Sequence, residues 1–421
     1  MRARVGNRAL RGEIEAIASK SDAHRALIAA ALCDAPARLA MNASSDDIEA
    51  TCACLRAMGA RIERDGGDVC VHPMPGRVCR AVLDCGESGS TLRFLLPVAA
   101  ARVERARFEG RGRLPERPLG PLINCLSAHG ARFSGERLPV EAAGGLSGGP
   151  FEIAGDVSSQ YISGLLFSLP LVDAPRVVSL TRPLVSAGYV DMTVDTLSRF
   201  GVQVRRQGGR FEVDANARYA SPGRVAIEGD WSNAAFFLSA GALGGDVTVR
   251  GLNARSNQRD RAIARLLCAF GARVECGPDW VRARPGNLRG IRADMGDIPD
   301  LAPVLAAVAA AAQGETRLVN AARLRLKESD RISSTARMLR AVGARVRETE
   351  DELWIQGGAR LSGGRVDGQN DHRIVMAASV LALACLGPVE ISGAEAVRKS
   401  YPAFFEDYNK LGGEAHVLID G

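Results

Sequence analysis

Aromatic side chains are scarce in this chain, 5% of 421 residues, with three tryptophans and five tyrosines. Proteins that track single-stranded nucleic acid need aromatic platforms among their basic residues. The scarcity therefore argues against a nucleic-acid partner, and an excess of 54 Lys and Arg over 48 Asp and Glu, a net +6, is too small to identify one. Histidine is rarer still: five residues, with no H-E-x-x-H pattern, so no metal site is expected. The ten cysteines lack paired C-x-x-C spacing, and the one close pair, Cys52 and Cys54, faces different sides of a helix. They read as small buried apolar residues in a reducing compartment. Long apolar runs are also missing. Leu301 to Ala312 and Ile374 to Leu386 fall short of the roughly 18 residues of a spanning helix. The start of the chain carries Arg2, Arg4, Arg8 and Arg11 but no apolar segment of a removable signal. The expectation is a cytoplasmic protein with no membrane or nucleic-acid partner and a preference for small anions.

What the chain does contain is a repeat. An ending of the form L-x-x-apolar-Gly, or its Tyr408 variant, recurs at Gly59, Gly130, Gly201, Gly271, Gly343 and Gly412, spaced 71, 71, 70, 72 and 69 residues apart. Glycine just past a helix adopts the left-handed conformation that other residues resist, so each copy reads as a helix stop. Each is followed by an alternating segment suited to a strand pair. A second landmark, Ser21, Ser90, Ser159, Ser232, Asp300 and Asp371, recurs at spacings of 69, 69, 73, 68 and 71 and opens an unusually apolar helix, as an N-cap would. Helices apolar on all sides are buried on all sides. A period near 70 is too long for a solenoid and points to a small α/β subdomain copied six times, three copies closing each of two domains. Parallel buried helices would bring their N-termini to one end of each domain, and two such ends face to face would aim six dipoles, each about half a positive charge, into one cleft. That cleft suits a polyanion.

Chemistry-bearing residues gather at the same helix starts. Lys20, Ser21 and Arg25 open the first copy, and Gly86 to Thr91 with Arg93 opens the second as a phosphate-cradling loop without a Walker lysine. Arg117 is pinned between Pro115 and Pro118, which suits bidentate anion binding. Ser158, Ser159 and Gln160 open the third copy. Between Arg323 and Arg331, Lys327 and Arg331 share a helix face if helical, a like-charge pair costing roughly 0.2–0.5 kcal/mol unless an anion lies between them, and Glu328 could reach the same anion. Asp300 starts the fifth buried helix, where the dipole favours a carboxylate that caps or acts as a base. Asp371, His372 and Arg373 open the sixth, and Lys399 adds a cation before Ser400.

Ten segments in this order resemble the 5-enolpyruvylshikimate-3-phosphate synthases: SKSDAHRAL from Ser19, CGESGSTLR from Cys85, LPERPLGPL from Leu114, DVSSQY from Asp156, LVSAGYVDMT from Leu184, EGDWSNAAFF from Glu228, IPDLAP from Ile298, LKESDR from Leu326, NDHR from Asn370 and RKSYP from Arg398. The resemblance implies the enolpyruvyl transferase fold, an α/β two-domain inside-out barrel of six βαβαββ repeats around buried parallel helices. One domain would join 1–19 to 230–421 and the other would run 20–229, with crossings near 19 and 229 and the cleft between. It implies transfer of the enolpyruvyl group of phosphoenolpyruvate to the 5-hydroxyl of shikimate 3-phosphate by a monomer without cofactor. Phosphoenolpyruvate would be held by Lys20, Gly89, Arg117, Gln160, Arg331, Arg373 and Lys399. Shikimate 3-phosphate would be held by Lys20, Ser21, Arg25, Ser158, Ser159, Gln160, Ser186, Tyr189, Asp300 and Lys327. By the same resemblance Asp300 is the base on the 5-hydroxyl, Glu328 the acid at C3, and Lys20 assists at the departing phosphate; Gly89, without a bulkier side chain, suggests sensitivity to glyphosate.

Ala18, Glu87 and Arg323 depart from the family pattern, and Glu87 is expected to point away from the substrates. Two other readings compete. UDP-N-acetylglucosamine enolpyruvyl transferases share the fold but place a cysteine in a glycine-rich loop, where this chain has Gly110 to Pro115 and none. A non-catalytic polyanion binder would use the positive charge alone and would lose affinity steeply with salt.

Overall fold

The computed structural model describes residues 1–418. All six predicted stop glycines have φ between +83° and +102°, the left-handed region where a helix ends without a Cβ penalty. Each buried helix is present: Lys20–Ala31, Gly89–Arg102, Ser159–Ser168, Trp231–Leu243, Ala302–Ala311 and His372–Ala382. The last is shorter than its apolar run.

The predicted caps are mostly displaced. Ser19, Ser88, Ser158 and Asp230, one or two residues upstream of the serines singled out by spacing, accept from first-turn N–H groups. Asp371 caps as expected, whereas Asp300 lies in a 3-10 turn, Pro299–Leu301, and the helix behind it has no side-chain cap. The displaced hydroxyls are left for other bonds: Ser90 accepts from Gln160 at 2.9 Å, and Ser232 bonds Asp260.

Among the described residues six four-stranded sheets accompany these helices, all with one pattern of a parallel pair extended by two antiparallel strands. The second copy shows the unit in chain order: Val78–Asp84, the buried helix, Val103–Glu109, a surface helix Gly120–Ser127, then Arg132–Phe133 and Val140–Ala143. Three sheets borrow a strand from a distant part of the chain. Arg224–Ala226 pairs in parallel with Ala37–Ala40, Arg11–Glu15 with Asp246–Arg250, and Arg2–Val5 lies antiparallel between Val389–Ser392 and Ala415–Leu418. The chain divides into two compact units, residues 18–227 and residues 1–17 with 228 onward, each with its own apolar core.

Within each unit the starts of the buried helices gather at one end. In residues 18–227, Gln160 reaches Ser90 and the Arg25 guanidinium lies 4.9 Å from the Phe94 ring. In the other unit Arg373 reaches both the Ser232 carbonyl and Asp300. Not every cysteine is interior. Cys79, Cys268 and Cys276 are exposed and Cys70 is half-buried, because they sit on outward-facing strand and helix positions that the uniform reading of the ten ignored. No helix among the described residues is long and apolar enough to cross a membrane.

Close approach of two buried helices depends on a proline and a glycine. Pro97 has no N–H to give the Arg93 carbonyl four residues earlier. That carbonyl faces Gly164, where an added Cβ would overlap it and would lie 3.2 Å from Pro97 Cγ. Helix propensity alone favours alanine over glycine by about 1 kcal/mol, but overpacking against backbone costs typically ~1–3 kcal/mol. Gly164→Ala is therefore expected to lower the urea midpoint; an equal or raised midpoint would refute the packing account.

Candidate active site

In residues 18–227 the gathered helix starts carry two adjoining groups of side chains. Around the Gly89–Arg102 helix, an added Cβ at Gly89 would lie 2.6 Å from Nη1 of both Arg93 and Arg117, so glycine is what lets two guanidiniums approach the helix start. Arg93 donates to Gln160 Oε1 at 2.9 Å and to the Pro118 carbonyl at 3.4 Å, while Gln160 Nε2 donates to Ser90. Ser158 accepts from the Gln160 backbone N–H, and Ser159 is buried beside it. Two cations at a helix N-terminus reinforce its dipole and form an anion site.

Arg25 organises the second group. Its Nε donates to Thr193 at 2.8 Å, Nη1 to the Ser21 carbonyl at 2.6 Å and Nη2 to the Tyr189 carbonyl at 2.8 Å. Burial penalises its charge more than nearby Asp22 and Tyr189 favour it, and its pKa falls to about 10, still fully charged at neutral pH. Tyr189 N–H bonds the Ser186 carbonyl, and Ser186 itself is held at φ +52°, a conformation uncommon for a non-glycine residue. Lys20 Nζ lies 2.7 Å from Asp47 Oδ2. Glu87 turns toward the backbone of Gly112, in the 110–113 loop, close enough that any side chain there would collide.

The other unit holds a denser network. Arg331, 1% exposed, meets Asp300 at 2.7 Å, Glu328 at 2.6 Å and Asp371 at 2.8 Å. Lys327 lies 3.5 Å and Arg373 3.0 Å from Asp300, so this carboxylate touches three cations. Burial pushes the Asp300 carboxyl up, but Arg373, Lys327 and Arg331 outweigh it and hold the group well below the usual range. Burial likewise works against the Arg331 charge, and Asp371, Glu328 and Asp300 overcome it. Lys327 is lowered, chiefly by burial. Lys399 donates to the Asn370 carbonyl at 2.6 Å, immediately before the Asp371 cap.

One sequence expectation fails here. Lys327 and Arg331 do not share a helix face, because the helix begins at Arg331 and Lys327 is extended after a 3-10 turn. The anion between them is the carboxylate of Asp300, which charge spacing along one segment could not reveal. Spacing also gave no weight to Asp47, to Asp371 as a partner of Arg331, or to Asp260 beside Ser232.

The model of the EPSP synthase (3-phosphoshikimate 1-carboxyvinyltransferase) family matches residues 5–408. A 3-phosphoshikimate 1-carboxyvinyltransferase of Clostridium acetobutylicum is 40% identical over 415 residues, covering 97% of this chain and 96% of that one. One of Clostridium kluyveri is 41% identical over 409 residues, with 96% of each chain covered. The solved EPSP synthase of Acinetobacter baumannii superposes with a TM-score of 0.81 at 26% identity, over 99% of this chain and 100% of that one. The enolpyruvyl transferase NikO from Streptomyces tendae, at 19% identity and a TM-score of 0.78 over 99% of this chain and 98% of that one, shares the fold. With a family model spanning nearly its whole length and relatives at this identity, the chain belongs to the EPSP synthase family, 3-phosphoshikimate 1-carboxyvinyltransferases.

Proposed function

We propose that this chain transfers the enolpyruvyl group of phosphoenolpyruvate to the 5-hydroxyl of shikimate 3-phosphate and releases phosphate, acting as a cytoplasmic monomer. The observation that supports it best is the network of Arg331, Arg373 and Lys327 around Asp300 and Glu328, where anion-binding cations and two candidate proton-transfer groups are in direct contact. Two phosphates and two carboxylates bring about −5 to −6 of charge at neutral pH, since a phosphate's second pKa is near 6. In this reading Arg117, Arg331, Arg373 and Lys399 with Lys20 and Gln160 hold phosphoenolpyruvate against Gly89. Ser21, Arg25, Ser158, Ser159, Ser186, Tyr189 and Lys327 hold shikimate 3-phosphate.

The chemistry needs a proton delivered to C3 of phosphoenolpyruvate while the 5-hydroxyl attacks C2, and then loss of phosphate from the tetrahedral adduct. Glu328 donates the first proton, Asp300 takes the hydroxyl proton, and Lys20 assists the departing phosphate. Asp300 in contact with three cations is a weak base. An anionic substrate that draws Arg331, Arg373 and Lys327 to its own oxygens removes the charges that hold the Asp300 carboxyl down, so basicity appears as the substrate arrives. The same exchange satisfies Arg331, which is too deeply buried to lose a partner without replacement.

The acceptor distinguishes the transferase readings. Phosphate release is expected with phosphoenolpyruvate and shikimate 3-phosphate and not with UDP-N-acetylglucosamine; the reverse result would move the chain to the other chemistry. Glu328→Ala is expected to lower kcat by about 10²–10⁴, the usual contribution of a general acid, and to lower the melting midpoint as well, because buried Arg331 loses one of its three carboxylates; kcat is therefore read per folded enzyme. A polyanion binder would keep or gain affinity when that carboxylate is removed, so undiminished turnover or tighter anion binding alone would overturn the assignment.

A further inference from the structure

One carboxyl of the second unit has no part in the chemistry just described, yet lies against it. Asp260 sits in the 3-10 turn Arg259–Arg261 and is 2% exposed. Its Oδ2 bonds the Ser232 hydroxyl, and its Oδ1 is buried without a hydrogen-bond partner. The same segment clasps the start of the Trp231–Leu243 helix: Gln258 Oε1 accepts from the Trp231 N–H at 3.1 Å, and its Nε2 donates to the Gly229 carbonyl at 2.9 Å. The Ser232 carbonyl in turn accepts from Arg373 Nη1 at 3.5 Å, while Arg373 Nη2 reaches Asp300. Asp260, Ser232, Arg373 and Asp300 thus form one chain of neighbours.

We propose that Asp260 is a positioning residue for Arg373: it pins Ser232, whose carbonyl aims the guanidinium, and, by bonding a hydroxyl instead of the guanidinium, leaves the charge of Arg373 available to an incoming anion. An ionised carboxylate at this place would give Arg373 a second acidic neighbour beside Asp300 and would repel the anion that Arg373 is there to receive. The surroundings favour the neutral form. Burial first, then Asp300, push the Asp260 carboxyl up to about 7 against the opposing pull of Arg373 and the Ser232 bond, and Asp230, which caps the same helix, adds to the rise. Arg259 and Arg261 on its own turn are exposed, and Lys327 and Arg331 are in contact with Asp300. An unpartnered Oδ1 suits a protonated carboxyl, since an ionised one would leave a buried charge unsatisfied.

The sign follows from the raised value. Asp260 is neutral below about pH 7 and gains charge above it, so affinity for the anion that Arg373 binds falls as pH rises through that point. The inference rests on the transferase reading and refines it by naming a determinant of phosphoenolpyruvate affinity. The test is steady-state phosphate release between pH 6 and 8.5 at saturating shikimate 3-phosphate, for the unmodified enzyme, Asp260→Asn and Ser232→Ala.

The unmodified enzyme is expected to show a KM for phosphoenolpyruvate that rises about fivefold or more across the range, because a charge at this distance from Arg373 acts on binding. Asp260→Asn, permanently neutral, is expected to keep the low KM throughout, with kcat within about twofold at pH 6. Ser232→Ala is expected to raise KM at every pH by loosening Arg373, with the pH dependence retained. Superimposable KM profiles for the unmodified enzyme and Asp260→Asn would overturn the proposal, whereas an inactive unmodified enzyme would overturn the transferase reading itself. Should Asp260→Asn fold poorly, the melting midpoint of the unmodified enzyme serves instead. A carboxyl with a raised pKa destabilises the fold progressively as pH climbs from its unfolded value to its folded one. Ser232→Ala should fold, and an unchanged KM in that variant would also refute the positioning role.

Discussion

A guanidinium sealed from water is stable only if its charge is answered on the spot, and Arg331 is answered by three carboxylates drawn from three segments of the chain. Breaking one side of such a network costs roughly 3–5 kcal/mol, because a buried charge is left behind. The arrangement therefore fixes the start of the Arg331–Ala341 helix, the Pro299–Leu301 turn and the Asp371 cap relative to one another. It also sets the terms for any ligand. Any anion that binds Arg331 must exchange with one of these carboxylates, because the guanidinium is too buried to stay unpaired. Asp371 is the partner that stays: it is fully buried, caps its own helix and accepts from Ser329 as well as Arg331.

The unit comprising residues 18–227 solves the same problem in another way. The donors of Arg25 are met by a hydroxyl and two carbonyls, and its charge lies near the Phe94 ring. Arg93 is met by an amide and a carbonyl. Neutral acceptors satisfy the N–H groups of Arg25 without cancelling its charge, whereas Lys20 in the same unit is paired with Asp47. The two units thus differ in electrostatic character despite their common architecture. In one the buried Arg25 is met by a hydroxyl and two carbonyls, and in the other the buried Arg331 is met by three carboxylates.

The architecture was legible in the sequence because its signals are local. A left-handed glycine after a helix, a helix apolar on every side and an alternating strand pair each occupy a dozen residues or fewer, and sixfold recurrence raised weak signals to a firm one. The caps were misplaced by one or two residues because Ser19 and Ser21, like Ser88 and Ser90, are equally good capping residues by type, and only backbone angles choose between them. The borrowed strands were not legible at all. Arg2–Val5 and Arg224–Ala226 complete sheets whose other strands lie far away in the chain, and nothing within either segment specifies its partner. Asp300 contacting Lys327 and Arg331 escaped for the same reason: the charge pattern of 323–331 called for an anion between Lys327 and Arg331, and the carboxylate that supplies it is 27 and 31 residues distant in the chain.

Repetition explains why a site of this kind arises at helix starts. Copying one βαβαββ unit copies its buried helix, and each copy brings a partial positive charge and unpaired N–H groups to the same end of its unit at no further cost in sequence. What the copies then need is difference, because six identical ends would bind anions without orienting them. The six starts have diverged in that respect. Ser19 is followed at once by a lysine and Ser88 by a glycine that admits two guanidiniums; two residues past Ser158 stands an amide, two past Asp230 a serine held through Asp260, and two past Asp371 a buried arginine, while the fifth start forgoes a cap and presents Asp300 instead. At the fifth start the Asp300 carboxylate is not committed to capping backbone N–H groups, so its bonds go instead to three cations, and bonds to mobile side chains are exchanged more readily than a cap.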